Sequence, residues 1–272
     1  LHFNSEFSDA AVTFVNPINL GTTGSNAREI RIANNPNSDN DMVIFSGVLS
    51  QSGGSQGINK SGQGTLELTA ANTYSGPTTL DNGKLRAIDG VGIPADSVVR
   101  LRGGILETSG TFNRALGTGS NQVNWNDGID SGEGGFAAQG ENLTVNLGGA
   151  AETLIWGAAN FIQNDAELVF GSGDGTHVVT WENPLNLGNT TDLPAGPGAR
   201  ELRITDNGDL GTDLAVMTGV ISSTGGTHAI EKEGDGTLVL VAANTYAGTT
   251  TIEDGALRAI DGVGLPTSSV LR

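Results

Sequence analysis

Cysteine is absent from the sequence, so it offers neither a disulfide framework nor a thiolate metal site. Basic residues are scarce, 13 against 30 acidic ones, and the formal net charge is −17. That balance argues against a nucleic-acid partner, which needs a basic footprint, and against anionic membrane surfaces. No apolar run approaches the roughly 18 residues of a membrane-spanning helix. Helical periodicity is missing too, because apolar residues do not recur at i, i+3, i+4 and glycine interrupts nearly every window. Proline numbers 8 in 272 residues and glycine does not fall at every third position, which excludes a collagen. Leu1 is not an initiator residue and no signal-peptide pattern follows it, so the chain reads as a mature or excised piece of something longer.

What is abundant is glycine, 42 residues, set with Asn, Thr and Ser between short apolar runs. Many short strands joined by tight turns have this composition. The stretch GTLELTAANTYSGPTTLDNGKLRAIDGVG (64–92) returns as GTLVLVAANTYAGTTTIEDGALRAIDGVG (236–264), at one offset throughout, Asn72 matching Asn244 and Arg86 matching Arg258. Upstream, AREIRI (27–32) returns at the same offset as ARELRI (199–204), and NPINLG (16–21) returns at a slightly smaller one as NPLNLG (183–188). The difference is an insertion in the loop at 190–199, where a solenoid tolerates insertions. Leu1 aligns with Leu168 and Arg272 with Arg100, so 1–167 forms one complete repeat unit and 168–272 a partial second one. Residues 101–167 have no second copy.

Alternation of period two marks strands at Val12/Phe14, Ile30/Ile32, Leu66/Leu68 and Leu238/Leu240, and MVIFSGVL (42–49) reads as a buried strand. Further strands are expected at Leu143–Leu147, Thr153–Trp156 and Glu167–Phe170. Strands of three to six residues suit the coils of a β-solenoid, with about 20–30 residues per coil and about six to eight coils per unit. Two β-sandwiches, one per repeat, are the rival.

The residues GQGTLEL (62–68), NTYSGPTT (72–79) and GKL (83–85) resemble the autotransporter-associated β-strand repeat, and the copy from Gly234 to Leu257 does so equally, with Thr249 for Pro77. GGFAA (134–138), LTVNLGG (143–149) and LIWG (154–157) resemble the spacer between such repeats in very long proteins. The resemblance implies an all-β, right-handed parallel β-helix, secreted or on the bacterial cell surface. In such a fold Leu66, Leu68 and Leu85, like Leu238 and Leu240, are expected to point inward, each worth about 1.5–3 kcal/mol when buried. Asn72 and Asn244 are expected to form a turn ladder along the axis. Thr78, Thr79, Thr250 and Thr251 suit a strand edge or outer face. Gly83 and Gly255 call for positive φ. Gly76 and Gly248 complete the motif beside Tyr74 and Tyr246, the chain's two tyrosines, which are expected to clamp their turns.

Catalytic chemistry is thinly supplied. His2, His177 and His228 align with Val169, Ala10 and Gln56, outside the repeated design, and no G-x-S-x-G elbow occurs. The acidic clusters Asp127/Asp130/Glu133, Asp206/Asp209/Asp213 and Glu231/Glu233/Asp235 read as solvated turns. Calcium is the one ion for which oxygens gather, with Asp174, Asp206 and Asp209 as weak candidates. No other cofactor is implied. Trp181 and Trp156 read as core, and Trp125, among polar residues, is left between core and surface.

The leading expectation is an extracellular structural repeat protein, a fibre, stalk, coat or adhesin stem without catalysis. It would pair its open strands end to end with itself or with adjacent repeats of a longer chain. The alternatives are an adhesin module that binds glycan or a surface protein, and a glycan-active β-helix enzyme.

Overall fold

The computed structural model describes residues 1–38, 42–125, 133–149, 152–188, 199–208, 214–224 and 226–272. They form two compact units, residues 1–108 with 117–124 and residues 109–116 with 125–272. Both are built from parallel strands stacked coil upon coil, so the solenoid rather than the sandwich is the architecture. Among the described residues there is no helix, and so none long and apolar enough to cross a membrane.

In the first unit one face stacks His2–Phe3, Ala27–Ile32, Gly57–Ser61, Thr78–Leu80, Val99–Leu101 and Gln122–Asn124. A second face stacks Val12–Phe14, Val43–Phe45, Thr65–Leu68 and Lys84–Ala87, with the start of Ile105–Phe112 after them. A third, short face pairs Ile18–Asn19 with Leu49–Ser50. MVIFSGVL is therefore not one strand. Val43–Phe45 and Leu49–Ser50 lie on different faces, and the chain turns a corner at Ser46-Gly47, where a Cβ on Gly47 would lie 2.3 Å from the Asn16 backbone.

The second unit repeats the three faces. Leu168–Phe170, Ala199–Ile204, Ala229–Glu233 and Thr250–Ile252 stack on one. Val179–Trp181, Leu214–Met217, Thr237–Leu240 and Ala256–Ala259 stack on the next. Leu154–Ile155, Leu185–Asn186 and Ile221–Ser222 form the third. The uncopied segment contributes a strand longer than expected, Gly134–Val145, which pairs with Leu168–Phe170 at its start and with Val179–Trp181 at its end. The repeat extends to register. Val43 pairs Leu66 and Leu66 pairs Leu85; at the matching positions of the second copy, Ala215 pairs Leu238 and Leu238 pairs Leu257.

Coil length varies more than the sequence suggested, and it sets the core. The step from Leu66 to its partner Leu85 is short, that from Val12 to Val43 is clearly longer, and that from Leu143 to Val179 is longer still. A short coil encloses a narrow core that Leu66, Leu68, Leu85 and Ala87 fill, all 4% exposed or less. A long coil encloses more volume than leucines can fill at native density, and aromatic rings occupy it. In the first unit Phe3, Phe14 and Phe45 meet with centroids 5.4–6.4 Å apart. In the second, Trp125 meets Phe136 at 5.8 Å and Phe161 at 5.3 Å, and Trp181 meets Phe170 at 5.6 Å. Trp125, left open by the sequence, is fully buried, with its indole N–H donating to the Gly134 carbonyl at 3.1 Å. Its polar sequence neighbours hid a core position.

Candidate functional site: the repeated coil clamp and its outer face

The two copies of the motif build the same device. Asn72 is buried at a turn, and its side-chain oxygen accepts the Leu49 N–H of the preceding coil at 2.7 Å. Its amide group donates to the Gly92 carbonyl of the following coil at 2.8 Å. Asn244 does the same between Ile221 and Gly264, at 2.7 and 2.9 Å. The expected asparagine ladder is thus replaced by asparagine-to-backbone bridges, because consecutive coils do not place a second asparagine in register. Asn183 is a third bridge, accepting from Leu147 N–H at 2.6 Å and donating to the Leu147 and Glu152 carbonyls.

Tyr74 and Tyr246 lie inside the coil, no more than 1% exposed, which leaves no ring face for a ligand. Each hydroxyl meets the threonine four residues on, Thr78 or Thr250, at 2.7 Å, and that threonine meets Ser97 or Ser269 of the next coil at 2.8 and 2.9 Å. Burial pushes the Tyr246 hydroxyl's pKa up, opposed by its bonds to Thr250 and Ser269. Thr78 and Thr250 are therefore not outer-face residues as expected; both are fully buried, and the relay from tyrosine to serine gives them their polar partners, whereas Thr79, in register with Asn59 and Arg100, stays on the outer face although only 3% exposed.

Two kinds of glycine serve the clamp. At Gly83 and Gly255 φ is +65° and +68°, a region L side chains rarely adopt. At Gly76 and Gly248 the limit is space, since a Cβ would lie 2.3 Å from the Gln56 backbone and 2.0 Å from the His228 carbonyl oxygen.

Sequence reasoning missed one member of the device. Lys60 and Lys232 are fully buried. The Lys60 ammonium donates to the carbonyls of Ser61, Gly62 and Asn82 at 3.1, 2.6 and 3.0 Å. Lys232 repeats this with Glu233, Gly234 and Asp254. All three ammonium protons find acceptors, and two turns of adjacent coils are tied to one another. Burial, helped by nearby Lys84 and opposed by Asp81, pushes Lys60 down to about 7. The available signal was that two of the chain's three lysines fall at matching positions of the two copies.

The outer face differs between copies. Arg203 donates to both carboxylate oxygens of Glu167 and to Glu233 of the next coil. Glu201 joins them, and the carboxylates of Glu167, Glu201 and Glu233 offer oxygens within 4.8 Å of one another. Burial, then Glu233 and Glu167, raise the Glu201 pKa. Among the described residues this trio, half-buried and already neutralised in part by Arg203, is the group that could share a cation. The calcium candidates are placed elsewhere: Asp174 accepts the Ser172 hydroxyl at 3.2 Å, Asp206 takes the Asp235 carboxylate on its backbone N–H at 2.9 Å, and Asp209 lies outside the described residues. Asp127, Asp130 and Asp213 also lie outside them.

Stacked parallel coils, tied by asparagine, tyrosine and lysine at matching positions of the two copies, define a parallel β-solenoid. The passenger-associated-transport-repeat family model matches residues 58–87 and 230–259, the two clamps, so the chain carries that repeat twice. The chain is also 29% identical over 248 residues to the adhesin BmaC autotransporter of Brucella suis biovar 1 (strain 1330). That alignment covers 75% of this chain and 7% of the relative, so the chain spans a small fraction of the protein it matches. No solved structure matches it.

Proposed function

We propose that this chain is a length of extracellular passenger stem at the bacterial surface, whose work is mechanical and which catalyses nothing. The observation that carries the reading is the repeated phase of the clamp. The same asparagine, tyrosine and lysine ties recur at the matching positions of the second copy, in the same strand register, as continuation of one solenoid through adjacent repeats requires. A similarity that covers so small a part of a long adhesin autotransporter supports adjacent repeats of a larger chain over a homopolymer. The non-catalytic part rests on where the histidines fall. His2 is exposed at the first strand, His177 is half-buried against the Thr176 hydroxyl at 2.7 Å, and His228 is fully buried; each stands in a different coil. The test is to place an epitope tag after Gly54, in a surface turn, within the full-length protein and to label intact cells. Labelling without permeabilisation is the expected result, and a tag reached only after lysis overturns the reading.

A further inference from the structure

In the first unit the turn Asp81-Asn82-Gly83 joins Thr78–Leu80 to Lys84–Ala87. A coil is stacked on either side of it: the backbone of Gly62 to Gly64 lies against Gly83, and Ile105 N–H donates to the Gly83 carbonyl at 2.9 Å. Asn82 is exposed with both neighbouring turns in place. Asn82-Gly83 is one of two Asn-Gly pairs in the sequence, the other being Asn207-Gly208. A glycine after asparagine leaves its own nitrogen unshielded, within reach of the asparagine side-chain carbon. Gly83 holds φ at +65°, and its N–H makes no hydrogen bond among the described residues.

Donors already stand on the two oxygens that take up charge if that nitrogen attacks. The Lys60 ammonium donates to the Asn82 backbone carbonyl at 3.0 Å. This oxygen shares the negative charge of a Gly83 nitrogen that has lost its proton. The Gln63 amide donates to Asn82 Oδ1 at 3.4 Å. That oxygen takes the charge once the nitrogen adds to Cγ. Donors fixed in advance stabilise an oxyanion as it develops, and the Lys60 charge is buried, where little water screens it.

The second copy shows what the turn accepts. Asp254-Gly255 stands in the place of Asn82-Gly83, with the Lys232 ammonium on the Asp254 carbonyl at 3.0 Å. Gly255 N–H donates to Asp254 Oδ1 at 2.7 Å, so the side chain folds back on the glycine nitrogen here, and an acid fits the turn. At the other Asn-Gly pair the Asn207 amide is held by the Gly175 carbonyl at 2.5 Å.

We propose that Asn82 is a self-modification site, converted to aspartate and isoaspartate in the folded chain with the help of Lys60. Solvent hydroxide removes the Gly83 proton, and the nitrogen bonds to Asn82 Cγ. The Cγ–Nδ2 bond breaks and Nδ2, taking a proton from water, leaves as ammonia. Water then adds to either carbonyl of the cyclic imide and opens it, giving aspartate or isoaspartate. The aspartate sets a carboxylate beside Lys60, as Asp254 stands beside Lys232 and helps it hold its proton. The isoaspartate routes the backbone through the former side chain, between two strands that lie on different faces of the coil.

The inference does not depend on the stem reading, because the chemistry needs only the folded turn. The experiment is peptide mapping by mass spectrometry of the whole chain, folded and unfolded in guanidinium, after incubation in neutral buffer, with ammonia and isoaspartate measured alongside. Burial, helped by Lys84 and opposed by Asp81, lowers Lys60 to about 7, so the ammonium is still present at neutral pH. Asn82 should convert in the folded chain, severalfold faster than Asn207. Lys60→Met should slow the folded-state conversion roughly tenfold, less than the loss of an oxyanion donor costs an enclosed enzyme site because this turn is open to water. It should leave the rate in guanidinium unchanged. Gln63→Ala, an exposed substitution that spares the core, should slow the conversion to a smaller extent and decides the matter if Lys60→Met fails to fold. An Asn82 that converts only in guanidinium, or a parental rate in folded Lys60→Met or, failing that variant, in Gln63→Ala, overturns the proposal.

Discussion

Asn72 holds three coils with one side chain, because its amide can accept from Leu49 and donate to Gly92 at the same time. Replacing it with alanine strands both a buried N–H and a buried carbonyl, each worth about 1–3 kcal/mol when left without a partner. Asn72→Ala should therefore lower stability by roughly 2–4 kcal/mol in urea denaturation, with Asn244→Ala similar in direction; a loss no larger than that of a surface asparagine would refute the bridge. Lys60 makes a pH prediction. Its ordinary value of 10.5 is pushed down to about 7, chiefly by burial. Between those values the unfolded chain binds the proton more readily than the folded one, so stability rises with pH from about 7 to about 10 and is flat below. Lys60→Met should reduce that slope in melting curves taken across the window, the remainder coming from Lys232, whose pKa burial lowers in the same way. Neither tie was legible in the sequence as a mechanism. Asn72 stands well after Leu49 and well before Gly92 in the chain, separations that mean nothing until the coil lengths are known.

At the scale of the element, the alternation of apolar residues was enough to locate Thr65–Leu68 and Thr237–Leu240 and to aim their leucines inward, because period two has one geometric meaning in a strand. It could not tell that MVIFSGVL turns a corner, since an unbroken apolar run looks alike on one face or two. What decorates the outer side of a strand was harder still. On Ala199–Ile204 and Ala229–Glu233, glutamates meet across coils: Glu201 pairs with Glu231 in register, and Arg203 with Glu233. Like charges directly opposite oppose pairing. Burial, then Glu253 and Glu233, raise the Glu231 pKa above its ordinary carboxylate value. A carboxyl whose pKa is raised by folding binds its proton more tightly in the folded state, so its contribution is lost as pH climbs through that raised value. Glu231→Gln should accordingly melt higher than the parent at pH 7 to 8 and together with it near pH 3, where both are uncharged. A variant that melts lower at neutral pH would show that Glu231 engages a cation or a partner the carboxylate needs. In the first copy the corresponding residue is Asn59, which donates to Asp81 at 2.6 Å, so the strain is confined to the second.

For the whole chain, a solenoid makes the coil rather than the residue the unit of insertion and deletion. Each coil contributes one strand per face, and neighbouring strands lie about 4.8 Å apart. Within the first unit the step from Leu66 to Leu85 is one coil, and the side chains at both positions fill the same kind of narrow core. Removing residues 64–82 takes out that whole coil, bringing Gly83 to the place of Gly64 and Leu85 to that of Leu66. Val43–Phe45 would then stack directly on Lys84–Ala87, and Gly57–Ser61 on Val99–Leu101, with apolar side chains still facing inward. The cost is the Asn72 bridge and the Tyr74 relay, so the shortened chain should fold cooperatively with a lower melting temperature. Removing only residues 64–72 deletes about half a coil, which sets every later strand of the unit against the wrong face and turns Leu80 and Leu85 out of the core. Circular dichroism and thermal melting of the two deletions separate the possibilities: β-structure with a cooperative transition for the first and none for the second is the expected outcome. Equal tolerance of both would mean that stability does not depend on strand register from coil to coil, and the account of the clamp as the part that holds a stem in phase would fail with it.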